Sequence, residues 1–367
     1  MYESKTTYLL GAGASKHFGF PTGLELLGNV KTIIGQLWDF LEHSKIFHDL
    51  SVPDLVQEAI GQSATAEKIC TEIVTLQHQC DLLRRRLETG HPTVIDYFIG
   101  LNPDVAHICK LLVAKVIIDA EILSQDAALK NTIRAAEQNW LRFVANNLKA
   151  NCRNSDDLMK NNINFLTFNY DTSLEDELEK MLLSDYIFRK EDVEAFLQGD
   201  RIIHLYGSIP RHQKAPEGIP RKPEGYSHNE LSQLNYKKLC KEYNRAYEVS
   251  KNLSVIDPDD KITNISRFNK AKEILEESDR VYILGYGFDE NNSKRLDLPN
   301  SLRKKPRKTV LFTNYGAQIK IDALAGAALH GDETIFVEAR KSLYTHVENV
   351  YWRSTNNVYD ALQHDFR

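Results

Sequence analysis

Short runs of apolar, β-branched and aromatic residues recur along the chain, and most of them lie in its second half. The first run, residues 6–10, stands apart, and the long stretch that follows it has an almost entirely helical pattern. Each run has turn residues beside it, which is typical of buried parallel strands that alternate with helices. The predicted strands are residues 6–10, Ile163–Phe168, Arg201–Leu205, Val281–Leu284, Thr309–Thr313 and Glu333–Val337.

This order of elements predicts an α/β fold, with a doubly wound, mostly parallel, Rossmann-like sheet and a large helical insertion after its first strand. The chain is long enough for one large domain with an insertion. We expect an α/β domain over residues 1–23 and 160–340, a helical insertion over 24–159, and a C-terminal helical or irregular segment over 341–367.

Within the predicted insertion, apolar residues recur at alternating spacings of four and three, which is the pattern of a long helix with an apolar seam. A second stripe of this kind follows it. The seam either packs on the protein's own domain, or forms a protruding hairpin or a contact between subunits. The seam consists of Ile69, Ile73, Leu76, Cys80, Leu83 and Leu87, and the second stripe of Val105, Cys109, Leu112 and Val116.

Composition excludes several classes of protein. Apolar content of 42% and charged content of 26% are ordinary for a globular protein, and the net charge of −5 gives no general reason to expect nucleic-acid binding. The five cysteines are scattered and form no Cys-x-x-Cys pair, which argues against a structural zinc site. Because no signal-peptide pattern follows Met1 and no apolar run is long enough to span a membrane, we expect a soluble, reduced, cytoplasmic protein.

The first predicted strand ends in a turn of small residues, Gly11-Ala12-Gly13, and Ser15 follows at the start of a predicted helix. A strand, a glycine turn and a helix N-terminus together form a phosphate cradle, since glycine lets the backbone approach the ligand and the free amides face its charge. The alternative is a tight turn that binds nothing.

The second predicted strand ends in a polar cluster, Thr167, Asn169 and Asp171. Alternation places these side chains on one side of an extended strand, at the carboxyl edge where parallel sheets bind ligands. The cluster therefore predicts a ligand site. Alternatively, Asn169 and Asp171 cap the helix that begins near Thr172.

Later strand ends add three further candidates. His204 lies near the end of the third strand, although a lone histidine in an apolar strand is often a satisfied core residue. Gly285 and Gly287 repeat the first glycine turn, and Asn314 offers polar edges for adenine or ribose, although turn chemistry would explain both features. The proline-rich and glycine-rich segment 210–229 follows the histidine strand and is predicted to be a surface loop that acts as a lid.

Taken in this order, the motifs resemble those of the sirtuin family. The matching segments are Gly11-Ala12-Gly13-Ala14-Ser15, Thr167-Phe168-Asn169-Tyr170-Asp171 and His204-Leu205-Tyr206-Gly207-Ser208, and Thr93–Phe98 is similar to a segment of the bacterial defence branch. The resemblance covers the predicted sheet and leaves the helical insertion outside it.

The departures from that family favour one of its branches. Protein deacylases of the family carry four zinc cysteines between the histidine strand and the later glycine turn, whereas this chain has only Cys240 there. Phe168 replaces a glutamine and Tyr206 replaces a second histidine. The pattern is more similar to the sirtuin-like NAD-hydrolysing proteins of prokaryotic anti-phage defence systems, of the kind paired with a HerA-type ATPase.

This resemblance implies an NAD+ hydrolase that acts as a defence effector, with NAD as its substrate and no metal. Asn169 would orient a water or ribose hydroxyl, Asp171 would read the carboxamide, and His204 would act as general base. It also implies a homo-oligomer or a HerA-type ATPase as activator, with no membrane or nucleic-acid partner indicated. A sensor that binds NAD or ADP-ribose without cleaving it and an assembly subunit stay open as alternatives. The residues implied to bind NAD are Gly11, Ala12, Gly13, Ser15, Thr167, Gly285, Gly287, Phe288 and Asn314.

Overall fold

The computed structural model describes residues 1–61, 65–130, 139–209, 228–254, 265–330 and 350–365. In this part of the chain, six strands form one sheet in the order β3-β2-β1-β4-β5-β6, and every neighbouring pair is parallel. The predicted α/β class and Rossmann-like doubly wound architecture are confirmed. The strands are β1 (Thr6–Leu10), β2 (Ile163–Thr167), β3 (Ile202–His204), β4 (Arg280–Leu284), β5 (Thr309–Thr313) and β6 (Val350–Ser354).

Five of the predicted strands form, with ends that differ from the prediction by at most one residue. The predicted strand Glu333–Val337 lies outside the described residues. Strand β6 was not predicted, and the expectation that segment 341–367 is only helical or irregular is wrong at this point. Val350, Tyr351 and Trp352 favour a strand, and pairing with the whole length of β5 supplies their backbone hydrogen bonds.

Helices flank the sheet, and the structure divides the chain into two compact units. The first unit contains residues 1–20, 126–206 and 260–367, with the sheet at its centre. Its helices are Ala12–Ser15, Leu141–Lys149, Ser155–Met159, Ser173–Leu183, Lys190–Gln198, Ile265–Glu277, Glu290–Arg295, Leu298–Arg303, Ile319–His330 and Val358–Asp360, together with a 3-10 turn over Lys16–Phe18 and a π turn over Ala361–Asp365.

Strand β1 lies at the centre of the sheet, and all five of its residues are buried. Tyr8 stacks on Phe165 of β2 and on Tyr282 of β4, with ring centroids 5.4 and 4.7 Å apart. These three residues are register partners on adjacent strands, so their rings form a continuous layer across one face. The aromatic layer joins the strands whose ends carry the candidate residues.

The second unit contains residues 21–125 and 207–259 and is helical. It differs from the insertion expected over 24–159, because His228–Ser250 packs with Gly23–Phe47 whereas Leu141–Lys149 packs on the first unit's Ser173–Leu183. All seam residues are buried, and their helix packs against Gly23–Phe47, which favours packing on the chain's own domain over a protruding hairpin. The helices of this unit are Gly23–Phe47, Asp54–Ile60, Ala66–Gly90, Ile95–Leu101, Ala106–Lys130, which continues past the unit's boundary, and His228–Ser250.

Candidate functional site

The strand order places β1 at the centre of the first unit, between β2 and β4. The chain winds outward from β1 in one direction through β2 and β3, and in the other direction through β4 to β6. In doubly wound sheets, ligands bind in the crevice at the carboxyl ends of the strands where this direction changes. That point lies between the ends of β1 and β4, which carry the two glycine turns.

The two glycine turns pack directly on each other. Gly11 N donates to Leu284 O at 3.0 Å, and Gly13 N donates to Gly285 O at 2.9 Å. A Cβ atom on Gly11 would lie 2.6 Å from Gly285 O, and one on Gly13 would lie 2.8 Å from Gly285 Cα. The close approach of two backbones therefore accounts for these glycines, and the Gly13 amide predicted to face a phosphate already has a partner.

At the end of the second glycine turn, Gly287 is exposed and Phe288 is buried. A Cβ on Gly287 would have no neighbour within 4 Å among the described residues. Phe288 is buried with a positive φ of 50°, and its ring packs edge-on against Phe312 at 5.5 Å. Gly287 is therefore accessible from the edge of the sheet, whereas the side chain of Phe288 belongs to the core.

Side chains from the ends of β1 and β2 form a buried polar cluster. Ser15 Oγ donates to Asp171 Oδ1 at 3.1 Å, and Asn169 Nδ2 donates to Ser15 Oγ at 2.8 Å. A hydroxyl has one proton, so donation to Asp171 leaves Ser15 to accept from the amide and fixes the orientation of Asn169. Thr167 joins the cluster because its Oγ1 accepts from the Asn169 backbone amide at 3.0 Å. The structure thus brings together the predicted residues of the first two motifs.

Asp171 supports the start of the next helix, although the N-cap residue itself is Thr172, and it also belongs to the cluster. Its Oδ1 accepts from the backbone amide of Ser173 at 3.2 Å and from the Ser173 hydroxyl, at the start of helix Ser173–Leu183. Burial raises the pKa of the Asp171 carboxyl, although the hydrogen bonds from Ser173 and Ser15 act in the opposite direction. Capping and ligand binding are compatible here because the carboxyl also lines the cavity described below.

His204 lies at the end of β3 with both ring nitrogens engaged. Nδ1 lies 2.9 Å from Asn169 O, and Nε2 lies 2.7 Å from Glu175 Oε1. A main-chain carbonyl only accepts, so Nδ1 carries a proton, and pairing of Nε2 with the Glu175 carboxylate favours the imidazolium form. Burial lowers the pKa of His204. The hydrogen bond and the charge of Glu175 raise this pKa by more, so it lies above the ordinary histidine value.

Two buried side-chain oxygens, on the two residues that bond His204, have no hydrogen-bond partner among the described residues. They are Asn169 Oδ1 and Glu175 Oε2. Leaving a buried acceptor unpaired costs about 1–3 kcal/mol, so such atoms commonly mark a site for a water or a ligand. Both oxygens are acceptors, so they would pair with an O–H or N–H donor.

A cavity of ≈ 230 Å³, measured with its opening to solvent, lies beside this cluster. Its polar side is formed by Ser15, Asn169 and Asp171, and its apolar side includes Phe18 and Trp140. The predicted residues of the first two motifs therefore line one recess of the first unit.

Asn314 is held by its own turn. Its Nδ2 donates to Gln318 O at 2.9 Å and to Asp322 Oδ1 at 2.7 Å, and its Oδ1 accepts from Gln318 N at 3.1 Å. Asp322 also forms an ion pair with Arg353 of β6 at 2.6 Å. The side chain of Asn314 therefore bonds the start of the following helix, and Asp322 extends this network to β6. Binding adenosine would require some of these bonds to open.

Phe168 and Tyr206, the two positions that differ from the sirtuin motifs, lie in one aromatic cluster. The rings of Phe168 and Tyr206 are 5.9 Å apart, and Phe168 stacks on Tyr286 at 5.0 Å. Tyr206 is buried and its hydroxyl donates to Asn292 Oδ1. An aromatic core thus occupies the positions where the family has a glutamine and a second histidine.

Sequence reasoning missed two residues of this site. Glu175 lies in the first turn of a helix, four residues after Asp171. An acidic residue so close to the end of a strand was the only feature of the sequence that could have indicated it. Trp140 lines the cavity and donates its Nε1 proton to Ala14 O at 3.0 Å. Its contact joins residues far apart in sequence, so no local pattern indicated it.

Within the described ranges, no group of three or more His, Cys, Asp or Glu residues is placed to hold a metal ion. None of the described helices is both long and apolar enough to cross a membrane. Compared with known proteins, the chain matches no protein-family model, no curated protein and no solved structure.

Proposed function

We propose that this protein is an NAD+ glycohydrolase, which converts NAD+ and water into nicotinamide, ADP-ribose and a proton. The observation that carries the proposal is the unpaired, buried Asn169 Oδ1, on the residue whose main-chain carbonyl bonds His204, at the carboxyl edge of a doubly wound sheet. A ribose hydroxyl or an attacking water would supply the donor that this oxygen lacks. The motif resemblance to sirtuin-like NAD-hydrolysing proteins adds the choice of substrate.

The roles of the residues follow from the charge changes of the reaction. Cleavage of the nicotinamide–ribose bond passes through an oxocarbenium-like transition state, so the cation on the ring moves to the ribose. Oxygen dipoles aimed at the ribose stabilise that charge, and Asn169 Oδ1 would supply one. Asp171 would accept from the carboxamide N–H groups of nicotinamide. His204 would take the proton of the water or hydroxyl through Nε2, once Glu175 no longer occupies that nitrogen.

A wider role follows from the resemblance alone. An enzyme that consumes NAD+ without restraint would kill its host, so the activity would be held off until a signal arrives. We therefore extend the proposal to an effector of anti-phage defence in the cytoplasm, activated within a homo-oligomer or by a HerA-type ATPase.

Release of nicotinamide tests the proposal. The purified protein, alone and with the product of the neighbouring gene, is incubated with NAD+ and the products are separated by chromatography. His204→Ala is expected to lower the rate by about 10²–10⁴-fold, the usual effect of losing a positioned proton-transfer group. Asn169→Ala is expected to lower it by about 10²–10³-fold through the loss of an oriented dipole, while His43→Ala, at an exposed histidine on a helix of the second unit, keeps the rate. Undiminished release by His204→Ala would refute the mechanism.

One observation favours a second candidate, a sensor that binds NAD or ADP-ribose without cleaving it. With both ring nitrogens engaged, His204 has no free position for a proton. Calorimetry of NAD binding, run beside the chromatography, separates the candidates. Binding without nicotinamide release, with or without the neighbouring gene product, would favour the sensor.

A further inference from the structure

The proposed roles give Glu175 no function of its own, although its side chain contacts His204 directly. Glu175 Oε1 lies 2.7 Å from His204 Nε2, and the two side chains are 26% and 10% exposed. A charge-assisted hydrogen bond at this distance and depth is stronger than a neutral one. Glu175 also lies in the first turn of helix Ser173–Leu183, where the helix dipole favours a negative charge.

The two nitrogens of His204 differ in what holds them. Nδ1 is bound to Asn169 O, a main-chain carbonyl fixed beside the strand end, so freeing it would require the backbone to move. Nε2 is bound to a carboxylate at the end of a side chain that rotates. Nε2 is therefore the nitrogen that can be exposed to a substrate, and Glu175 occupies it.

We propose that Glu175 is a positioning residue that holds His204 as an imidazolium and covers its working nitrogen, Nε2, until a substrate hydroxyl or water takes its place. In this arrangement His204 cannot accept a proton. When Glu175 withdraws, the Nε2 proton leaves with its carboxylate or passes to solvent, and the neutral ring can then act as a base. The part of the proposal that concerns catalysis rests on the proposed function, whereas the pairing itself does not.

The groups that act on His204 electrostatically come from three places. Glu175 on helix Ser173–Leu183 and Asp171 at the end of β2 favour the charged ring, and so does the hydrogen bond to Asn169 O. Burial opposes the charge. Among these contributions, the Glu175 side chain supplies both the hydrogen bond and the larger charge effect, so its removal should give the largest change.

The test compares Glu175→Gln with Glu179→Gln, which removes the same charge one helical turn farther along. The first readout is an NMR titration of the His204 ring, assigned with His204→Ala, and it requires neither NAD nor activity. We expect its midpoint to move to lower pH in Glu175→Gln and to stay unchanged in Glu179→Gln. An unchanged midpoint in Glu175→Gln would overturn the proposal.

The second readout is the pH profile of nicotinamide release. Because more of the ring is neutral in Glu175→Gln, the rate at pH 6 relative to pH 8 should rise on the order of tenfold. A fall in rate at every pH would also overturn the proposal, since it would make Glu175 a required proton acceptor. If no form of the protein cleaves NAD+, the proposed function fails while the titration still decides whether Glu175 holds His204.

Discussion

Replacing Gly285 by alanine should separate the two glycine turns on which the candidate site is built. Gly285 has a φ of +59°, a left-handed conformation that favours glycine. A Cβ atom there would overlap the backbone of Gly13 and Ala14, with Gly13 Cα only 2.8 Å away. Because both neighbours are main chain, no side chain can rotate to make room. Gly287, two residues later, is the matched control, since its added Cβ meets nothing and its φ is not positive.

The size of the effect follows from these contacts. A residue with a Cβ in the left-handed region costs about 1–2 kcal/mol. The overlap either persists, at about 1–3 kcal/mol for an overpacked site, or is relieved by breaking the bond from Gly13 N to Gly285 O, which costs about as much when buried groups stay unpaired. We therefore expect Gly285→Ala to lower the free energy of unfolding by about 2–5 kcal/mol. Gly287→Ala should change it by no more than about 1 kcal/mol.

Urea unfolding, followed by the fluorescence of the buried Trp140 in a background with Trp38 and Trp352 replaced by phenylalanine, measures this difference. Trp140 is a local reporter because its indole donates to Ala14 O, beside the overlap. Hydrogen exchange of the Gly13 amide gives a second readout, since its protection depends on Gly285 O. If the two variants have the same free energy of unfolding and the Gly13 amide keeps its protection from exchange, the packing of the two turns does not depend on a glycine at position 285.

Two further predictions concern stability. The pKa of Asp171 is raised in the folded state, so the stability due to its protonation is present at acidic pH and is lost as pH rises through that pKa. Asp171→Asn should therefore be more stable than the wild type at pH 8, by on the order of 1 kcal/mol. At pH 4.5 its advantage should be smaller. Urea unfolding that shows a larger advantage at pH 4.5 than at pH 8 would contradict this prediction. Leu87→Glu places a charge at a buried seam position and should unfold the helical unit at a cost above about 4 kcal/mol, whereas Val74→Glu, on the same helix at a position 55% exposed, should be tolerated in thermal unfolding.

The strands were predictable to the extent that both of their faces are buried. Strands β1, β2, β4 and β5 lie inside the sheet, where every side chain must be apolar or paired, and their bounds match the prediction to within one residue. Strand β6 is at the edge and ends in Arg353 and Ser354, which weaken the apolar pattern. The ion pair from Arg353 to Asp322 shows why a polar residue fits there, but that pairing depends on the folded position of another helix.

The candidate site was predictable where it depends on strand ends. Leu10 and Thr167 are register partners, so the residues that follow them, including Ser15 and Asn169, meet at one edge. The sequence could not show that the Asn314 side chain would be hydrogen-bonded within its own turn, because turns rich in asparagine and turns that bind ligands have similar compositions. It also could not show that Glu175 reaches His204, which requires the direction of a helix relative to a neighbouring strand.

The hydrogen bond between His204 and Glu175 also opposes the reaction that we propose. His204 Nε2 can contact a substrate only when this bond opens. A hydrogen bond to a charged group contributes about 1.5–3 kcal/mol, so opening it costs a similar free energy. Every 1.4 kcal/mol weakens apparent affinity about tenfold, so if NAD is the substrate, the isolated chain should bind it some 10-fold to 140-fold more weakly than an opened form. An activator would then need only to stabilise the opened form, without contributing a catalytic group of its own.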